Sequence, residues 1–152
     1  MRRAHLPPLR AEGTIDVEHG RGGLARAIIR LMKLPAAGPC QPARLQVAGD
    51  GAGLVWTRRI GGTLLETRQR ASGALIVERS GLGRISFALT AEDGALLYRQ
   101  TSIAVAGLPV PQWLGPNVSA AVSPNADGWC VDVRVTWRGR AVCRYAGAIR
   151  AT

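Results

Sequence analysis

Apolar and polar positions change period twice along this chain. From Thr14 to His19 they alternate, with Ile15 and Val17 on one side and Asp16 and Glu18 on the other, which predicts a half-buried strand. Gly20-Arg21-Gly22-Gly23 then breaks the alternation. Over Gly22–Leu34, GGLARAIIRLMKL, the period becomes helical. Leu24, Ala27, Ile28, Leu31 and Leu34 share one side of the wheel, widened by Ala25 and Met32, and Arg26, Arg30 and Lys33 share the other. An amphipathic helix of this kind needs an apolar surface to lie on. Leu34-Pro35 ends it, because a residue before proline is pushed out of the α region, and PAAGPCQPA at 35–43 reads as a loop.

Beyond that loop the period of two returns. Segments 44–48, 54–60, 63–71, 74–79, 84–91 and 95–106 are separated by turn sequences rich in Gly, Asp and Ser, the spacing of antiparallel hairpins. The prolines of GLPVPQWLGP at 107–116 exclude a central strand, so this is a crossing segment with Trp113 and Leu114 as apolar plugs. Strands 118–122, 129–138 and 141–149 follow, the clearest alternation being Trp129, Val131, Val133, Val135, Trp137. About nine antiparallel strands cannot stay flat. The expected fold is mainly β: a strongly curved antiparallel sheet or β-barrel, with the amphipathic helix after the first strand covering one opening or the concave face. Its inward set is Ile15, Val17, Leu45, Val47, Leu54, Trp56, Ile60, Ile85, Phe87, Leu89, Val131, Val133 and Val135. Residues 1–12, basic and proline-containing, read as a loose lead-in to a single domain over 13–150.

Composition narrows the classes. At 152 residues and 47% hydrophobic content the chain supports one core and is not globally disordered. No run reaches a membrane span, and the N-terminus lacks the apolar stretch of a signal peptide, so a cytoplasmic location is expected. The net charge of +10 comes from 19 Arg and one Lys, a ratio that fits a GC-rich bacterial genome. Those arginines are scattered over the strands and the tryptophans are not interleaved with them, which argues against a nucleic-acid partner. Cys40, Cys130 and Cys143 form no metal-binding spacing; pairing of the last two strands puts Cys130 and Cys143 on opposite faces, so free thiols are expected.

Candidate chemistry is sparse. His5 and His19 stand outside any nucleophile motif, and no metal or cofactor motif occurs, so no catalytic residue, metal or cofactor is assigned. The most individual stretch is Trp56-Thr57-Arg58-Arg59-Ile60-Gly61-Gly62. Trp56, Arg58 and Ile60 share a strand face, and an arginine between apolar neighbours needs a carboxylate, which Glu66 or Glu78 could supply. Trp56, Arg58, Glu66, Glu78, Arg79 and Trp113 are therefore the candidate ligand-binding residues. The functional expectation is a non-enzymatic binding domain taking an apolar or amphipathic small molecule inside the curved sheet.

One resemblance spans nearly the whole chain. The ordered set V-E-x-G-x-G-x-L-A-R-x-I-x-R-L at Val17–Leu31, L-P-x-A-G at Leu34–Gly38, W-T-R-x-hydrophobic-G-G at Trp56–Gly62, V-E-R at Val77–Arg79, L-P-x-P-x-W-L-x-P at Leu108–Pro116 and R-Y-x-G at Arg144–Gly147 resembles the bacterial family called domain of unknown function 4166. Ile60 stands where members usually carry an aromatic residue. The family has no established activity, so the resemblance transfers no catalytic residue. It implies an alternative role, because similar sequences also lie behind a saccharopine-dehydrogenase-like oxidoreductase domain. That role is an auxiliary domain docking on a dinucleotide-dependent oxidoreductase, with an exposed apolar patch around Leu108–Leu114.

Overall fold

The computed structural model describes residues 8–152. Strand β1 (Leu9–His19) leads into helix α1 (Gly23–Leu31). Then come β2 (Gly38–Gly49), β3 (Leu54–Ile60), β4 (Thr63–Ser72), β5 (Leu75–Ser80), β6 (Gly83–Glu92) and β7 (Ala95–Val105). The chain ends with β8 (Leu108–Val110), β9 (Asn117–Pro124), β10 (Trp129–Trp137) and β11 (Arg140–Ala151). Every pairing is antiparallel. Hairpin pairing runs from β1 to β7; β7 then skips β8 to pair with β9, and β11 returns to β1. Ten strands thus close into a barrel, and β8 lies outside it on β7.

Closure separates two ends. One carries α1 together with the β3–β4, β5–β6 and β10–β11 turns. Here Ile15, Val17, Ala25, Ile28, Ala43, Ile60, Val135, Val142 and Cys143 form the buried core, with Ile29, Met32, Leu34, Val118, Trp137 and Tyr145 packed against it. The other end carries the β2–β3, β4–β5, β6–β7 and β9–β10 turns. There the inward-facing Leu9, Leu54 and Leu96 are exposed, so the rim of this mouth is apolar.

The helix stops at Leu31, and its buried side is not the one the wheel selects. Ala25 and Ile28 are buried, whereas Leu24 and Leu31 are exposed, Leu31 by 80%. The C-terminus supplies the reason. The Leu34 N–H donates to the Ile29 carbonyl and the Lys33 N–H to the Arg30 carbonyl, with Lys33 at φ 53°. This is a Schellman closure, whose companion contact pairs the residues at either end of the longer bond, here Ile29 and Leu34. Both pack on the core, which turns the Ile28–Ile29–Met32 side inward.

Other boundaries shift for local reasons. Strand β1 begins at Leu9, so residues 9–12 belong to the barrel and not to a lead-in, pairing with both β2 and β11. The expected lead-in at 1–7 lies outside the described residues. Strand β2 begins at Gly38, inside the expected loop, with Pro39 and Pro42 in it. Those prolines remove ladder donors, and the pairing with β1 is irregular between Ile15 and Val17. Trp113 and Leu114 are not plugs: both side chains are more than half exposed outside the barrel. Their segment is held by backbone carbonyls, that of Leu114 accepting from Trp137 Nε1 (2.9 Å) and that of Trp113 from Arg138 Nε (3.1 Å).

Candidate functional site

Alternation decides what the barrel interior contains. In β3 it sends Leu54, Trp56, Arg58 and Ile60 inward, in order from the mouth to the helix end. Register carries the same parity to Thr67 and Gln69 in β4, to Glu78 in β5, to Tyr98 and Gln100 in β7, and to Tyr145 in β11. Applied to every barrel strand, the parity leaves Arg58 and Glu78 as the charged residues that point inward.

These two make one network. Arg58 Nη1 donates to Glu78 Oε1 (3.2 Å) and to Thr67 Oγ1 (3.0 Å), and Gln69 Nε2 donates to Glu78 Oε2 (2.8 Å). The guanidinium lies 5.2 Å from the Trp56 ring centre. The Arg58 and Glu78 side chains remain 20% and 19% exposed. Inside a closed ring that exposure comes from the lumen. Leu45, Leu65, Ile76, Leu89, Ala120, Val122, Val131 and Val133 also face inward and are only half-buried. Total accessible surface points the same way: 10018 Å², against about 7,400 Å² for a solid monomer of this mass. The first seven residues account for at most about 1,250 Å² of the difference.

Three aromatic polar groups complete the belt. Trp56 Nε1 is buried and has no hydrogen-bond partner. Burial pushes the Tyr98 phenol up, the Glu78 charge adds to this and Arg58 opposes it. Tyr145 is likewise pushed up by burial, with Arg58 opposing. Tyr98 sits edge-on to Phe87, 6.1 Å between ring centres. Among the described residues neither tyrosine hydroxyl has a hydrogen-bond partner. A space of about 10 Å³ lined by Pro35, Arg58, Ile60, Thr63, Leu65 and Tyr145 lies at the helix end of the lumen, room for one water. A larger recess of about 240 Å³ crosses the outside of β7, β9 and β10. Its carboxylate, Asp132, is held below the usual range by hydrogen bonds from Arg144 and Arg134 and so is already paired.

Of the residues singled out by sequence, Trp56, Arg58 and Glu78 come together. Glu66 does not join them: Arg58 pairs with Leu65, and Glu66 has the opposite parity, exposed on the outside. The two glutamates therefore do not face each other across a common site. Arg79 is outside for the same reason, and Trp113 is 66% exposed at the outer helix end. Thr67, Gln69, Tyr98 and Tyr145 were missed. Parity would have found Thr67 and Gln69 once β4 was paired with β3; Tyr98 and Tyr145 needed the closure of the ring. Cys130 is exposed and Cys143 buried, the opposite faces that alternation predicts.

Among the described residues no group of three or more His, Cys, Asp or Glu is placed to hold a metal ion, and no helix is long and apolar enough to cross a membrane. Comparisons with curated proteins and with solved structures find no match. The chain does have a family: over residues 2–149 it matches, and belongs to, the family described as Domain of unknown function (DUF4166).

Proposed function

We propose that this protein is a non-enzymatic binding domain that takes an apolar or amphipathic small molecule into the barrel lumen. One observation carries the reading: inward-facing side chains at mid-barrel, Arg58 and Glu78 among them, stay accessible although ten strands close around them. About eight strands already enclose a lumen able to hold one small ligand, and ten enclose more. The exposed leucines of the mouth offer an apolar entrance, and the helix end is sealed by the core. Three cysteines without a bonded partner suit a bacterial cytoplasm. The test is native followed by denaturing mass spectrometry of one purified sample. An extra mass that disappears on denaturation is expected. A bare protein mass, repeated after incubation with a cell lipid extract, would overturn the reading.

A second reading is favoured by a different observation. Leu82, Leu108, Trp113 and Leu114 are all more than half exposed, and Leu108–Leu114 is the segment the sequence singled out for docking. Contiguous apolar surface of this kind marks interaction sites. On this reading the domain docks against a dinucleotide-dependent oxidoreductase. Co-purification with such a partner, lost on Trp113→Glu and Leu108→Glu, is the expected result; retention in the double variant would exclude this patch.

A further inference from the structure

We propose that the helix end of the barrel docks on the surface of an anionic lipid bilayer, with α1 lying in the interface and the apolar side chains around it entering the headgroup layer. The two ends of the barrel differ in charge. The stretches that build the helix end, 20–36, 60–64, 80–84, 105–117 and 137–141, contain no Asp or Glu. They carry Arg21, Arg26, Arg30 and Lys33 on and before the helix, all exposed. Arg84, Arg138 and Arg140, beside the turns, are exposed too. Among the described residues none of these cations forms an ion pair; the paired arginines are Arg44, Arg58, Arg99, Arg134 and Arg144. Acids mark the opposite end: Asp50, Asp93 and Asp127 stand in the β2–β3, β6–β7 and β9–β10 turns. A net charge of +10 distributed in this way turns the helix end toward a negative surface before contact.

Exposed apolar side chains collect at the same end. Helix α1 spends Ala25 and Ile28 on the core and keeps Leu24 and Leu31 in solvent, 47% and 80% exposed, with Arg26 and Arg30 exposed beside them. Apolar residues flanked by cations on the outer side of a helix suit a position in the headgroup layer. Leu82 tips the β5–β6 turn, and the Ala106 N–H donates to its carbonyl (2.9 Å), which brings the turn before Leu108 alongside. Trp113 and Leu114 are tied to Arg138 and Trp137 at the β10–β11 turn. Arg138 lies 5.9 Å from the Trp113 ring centre, so a cation stands against the residue type that favours the boundary between water and hydrocarbon. The distribution separates a bilayer from a protein partner. Protein interfaces gather apolar residues into a core depleted of charge. Here they are carried by the helix and by separate turns, with cations of one sign between them. A bilayer matches that pattern without further complementarity, because its surface is negative throughout and apolar just below. Docked in this way, the barrel turns its acidic mouth away from the lipid.

The experiment is co-sedimentation of the full chain with vesicles of phosphatidylcholine alone and of phosphatidylcholine mixed equally with phosphatidylglycerol, the mixture also prepared with brominated phosphatidylcholine. Binding is expected to the mixed vesicles, and it should weaken as salt rises. Brominated lipid should quench tryptophan fluorescence, and Trp113→Phe should remove most of that quenching. Arg26→Gln with Arg30→Gln should weaken binding about 25-fold, at about fivefold per cation near the surface. Arg10→Gln with Arg150→Gln removes the same charge from the mouth end, where both arginines are exposed, and should leave binding nearly unchanged. Leu82→Ser with Leu108→Ser should weaken it about tenfold or more, through lost apolar insertion. Absence of binding to the mixed vesicles at low salt would overturn the proposal. So would equal weakening by the two arginine pairs, which would reduce the attraction to net charge, or binding without tryptophan quenching. Absence of vesicle binding together with capture of an oxidoreductase that depends on Trp113 and Leu108 would give this end of the barrel to a protein partner instead.

Discussion

At the residue scale, the Arg58–Glu78 pair is the most informative contact. Breaking a buried pair by removing one partner is costly, whereas replacing both by apolar groups is often nearly neutral. Here each side chain keeps about a fifth of its surface, so the penalty is reduced. Glu78→Leu is expected to cost about 2 kcal/mol, since it strands the guanidinium. Adding Arg58→Leu should recover about 1 kcal/mol or more, a coupling that a denaturation double-mutant cycle measures. Strict additivity of the two substitutions would mean that the ion pair contributes nothing. Cys143 offers an independent check. Burial pushes its thiol up to about 11 from 9.0. The unfolded thiol therefore ionises first as pH rises, and the native state loses relative stability above about pH 9, approaching 2 kcal/mol by pH 11. Tyr98 and Tyr145, also raised by burial, act in the same direction at higher pH. Guanidinium midpoints at pH 7.5 and 10.5 should fall accordingly, and less steeply in Cys143→Ala. Exposed Cys40 and Cys130 should react with a thiol reagent at once, and Cys143 only on unfolding. All three members of the Trp56–Arg58–Glu78 cluster were legible in the sequence, because parity and the need of a flanked arginine for a carboxylate are local properties. The choice of Glu78 over Glu66 was not, because it depends on which face of β4 the register turns inward.

At the element scale, two backbone positions make opposite predictions. Lys33 holds a left-handed conformation that glycine adopts without penalty. Its side chain is exposed, so Lys33→Gly is expected to stabilise by about 0.5–1 kcal/mol and raise the melting temperature. Gly147 is the reverse case. It faces inward on β11 opposite Ile15, and a Cβ there would run into the Thr14 carbonyl of β1. Glycine inside a strand often marks a tight bend where another backbone comes close. Gly147→Ala should therefore cost at least about 2 kcal/mol, whereas the same change at Gly62, where a Cβ meets nothing, should be nearly neutral. The elements themselves were largely readable: Leu54–Ile60 stands as alternation drew it, and most other strands shift at their ends. The helix face was not readable, because its apolar arc was broad enough to permit several rotations. What fixed it was the C-terminal closure, which bonds Leu34 N–H to the Ile29 carbonyl and leaves both side chains on the core, a geometry past the helix end that no wheel contains.

At the scale of the whole molecule, the barrel is built in two regimes. Towards α1 its interior is a packed core; towards the mouth the same alternating faces are only half-buried. Curvature was legible because so many strands must curl. Closure rests instead on β7 reaching past the crossing segment to pair with β9, a long-range pairing anchored at one buried side chain. Gln100 Oε1 accepts from the Val118 N–H (2.8 Å) and its Nε2 donates to the Pro116 carbonyl (3.0 Å). The two regimes predict different answers to one substitution. Ala43 faces inward in the packed end and is 6% exposed. Ala120 faces inward between Tyr98 and Val133 in the open part and is only half-buried. Replacing Ala43 with leucine overfills a close-packed core and should cost about 1–3 kcal/mol. Replacing Ala120 with leucine adds the same volume beside neighbours that are only half-buried. It should change stability by less than about 1 kcal/mol, or raise it through the apolar area covered. The same Ala120→Leu chain should then retain less of any bound mass seen by native mass spectrometry, because the inserted side chain points into the barrel. Equal destabilisation at both positions, read from denaturant midpoints, would mean that the mouth half is as solid as the helix half. The protein would then hold nothing in its interior.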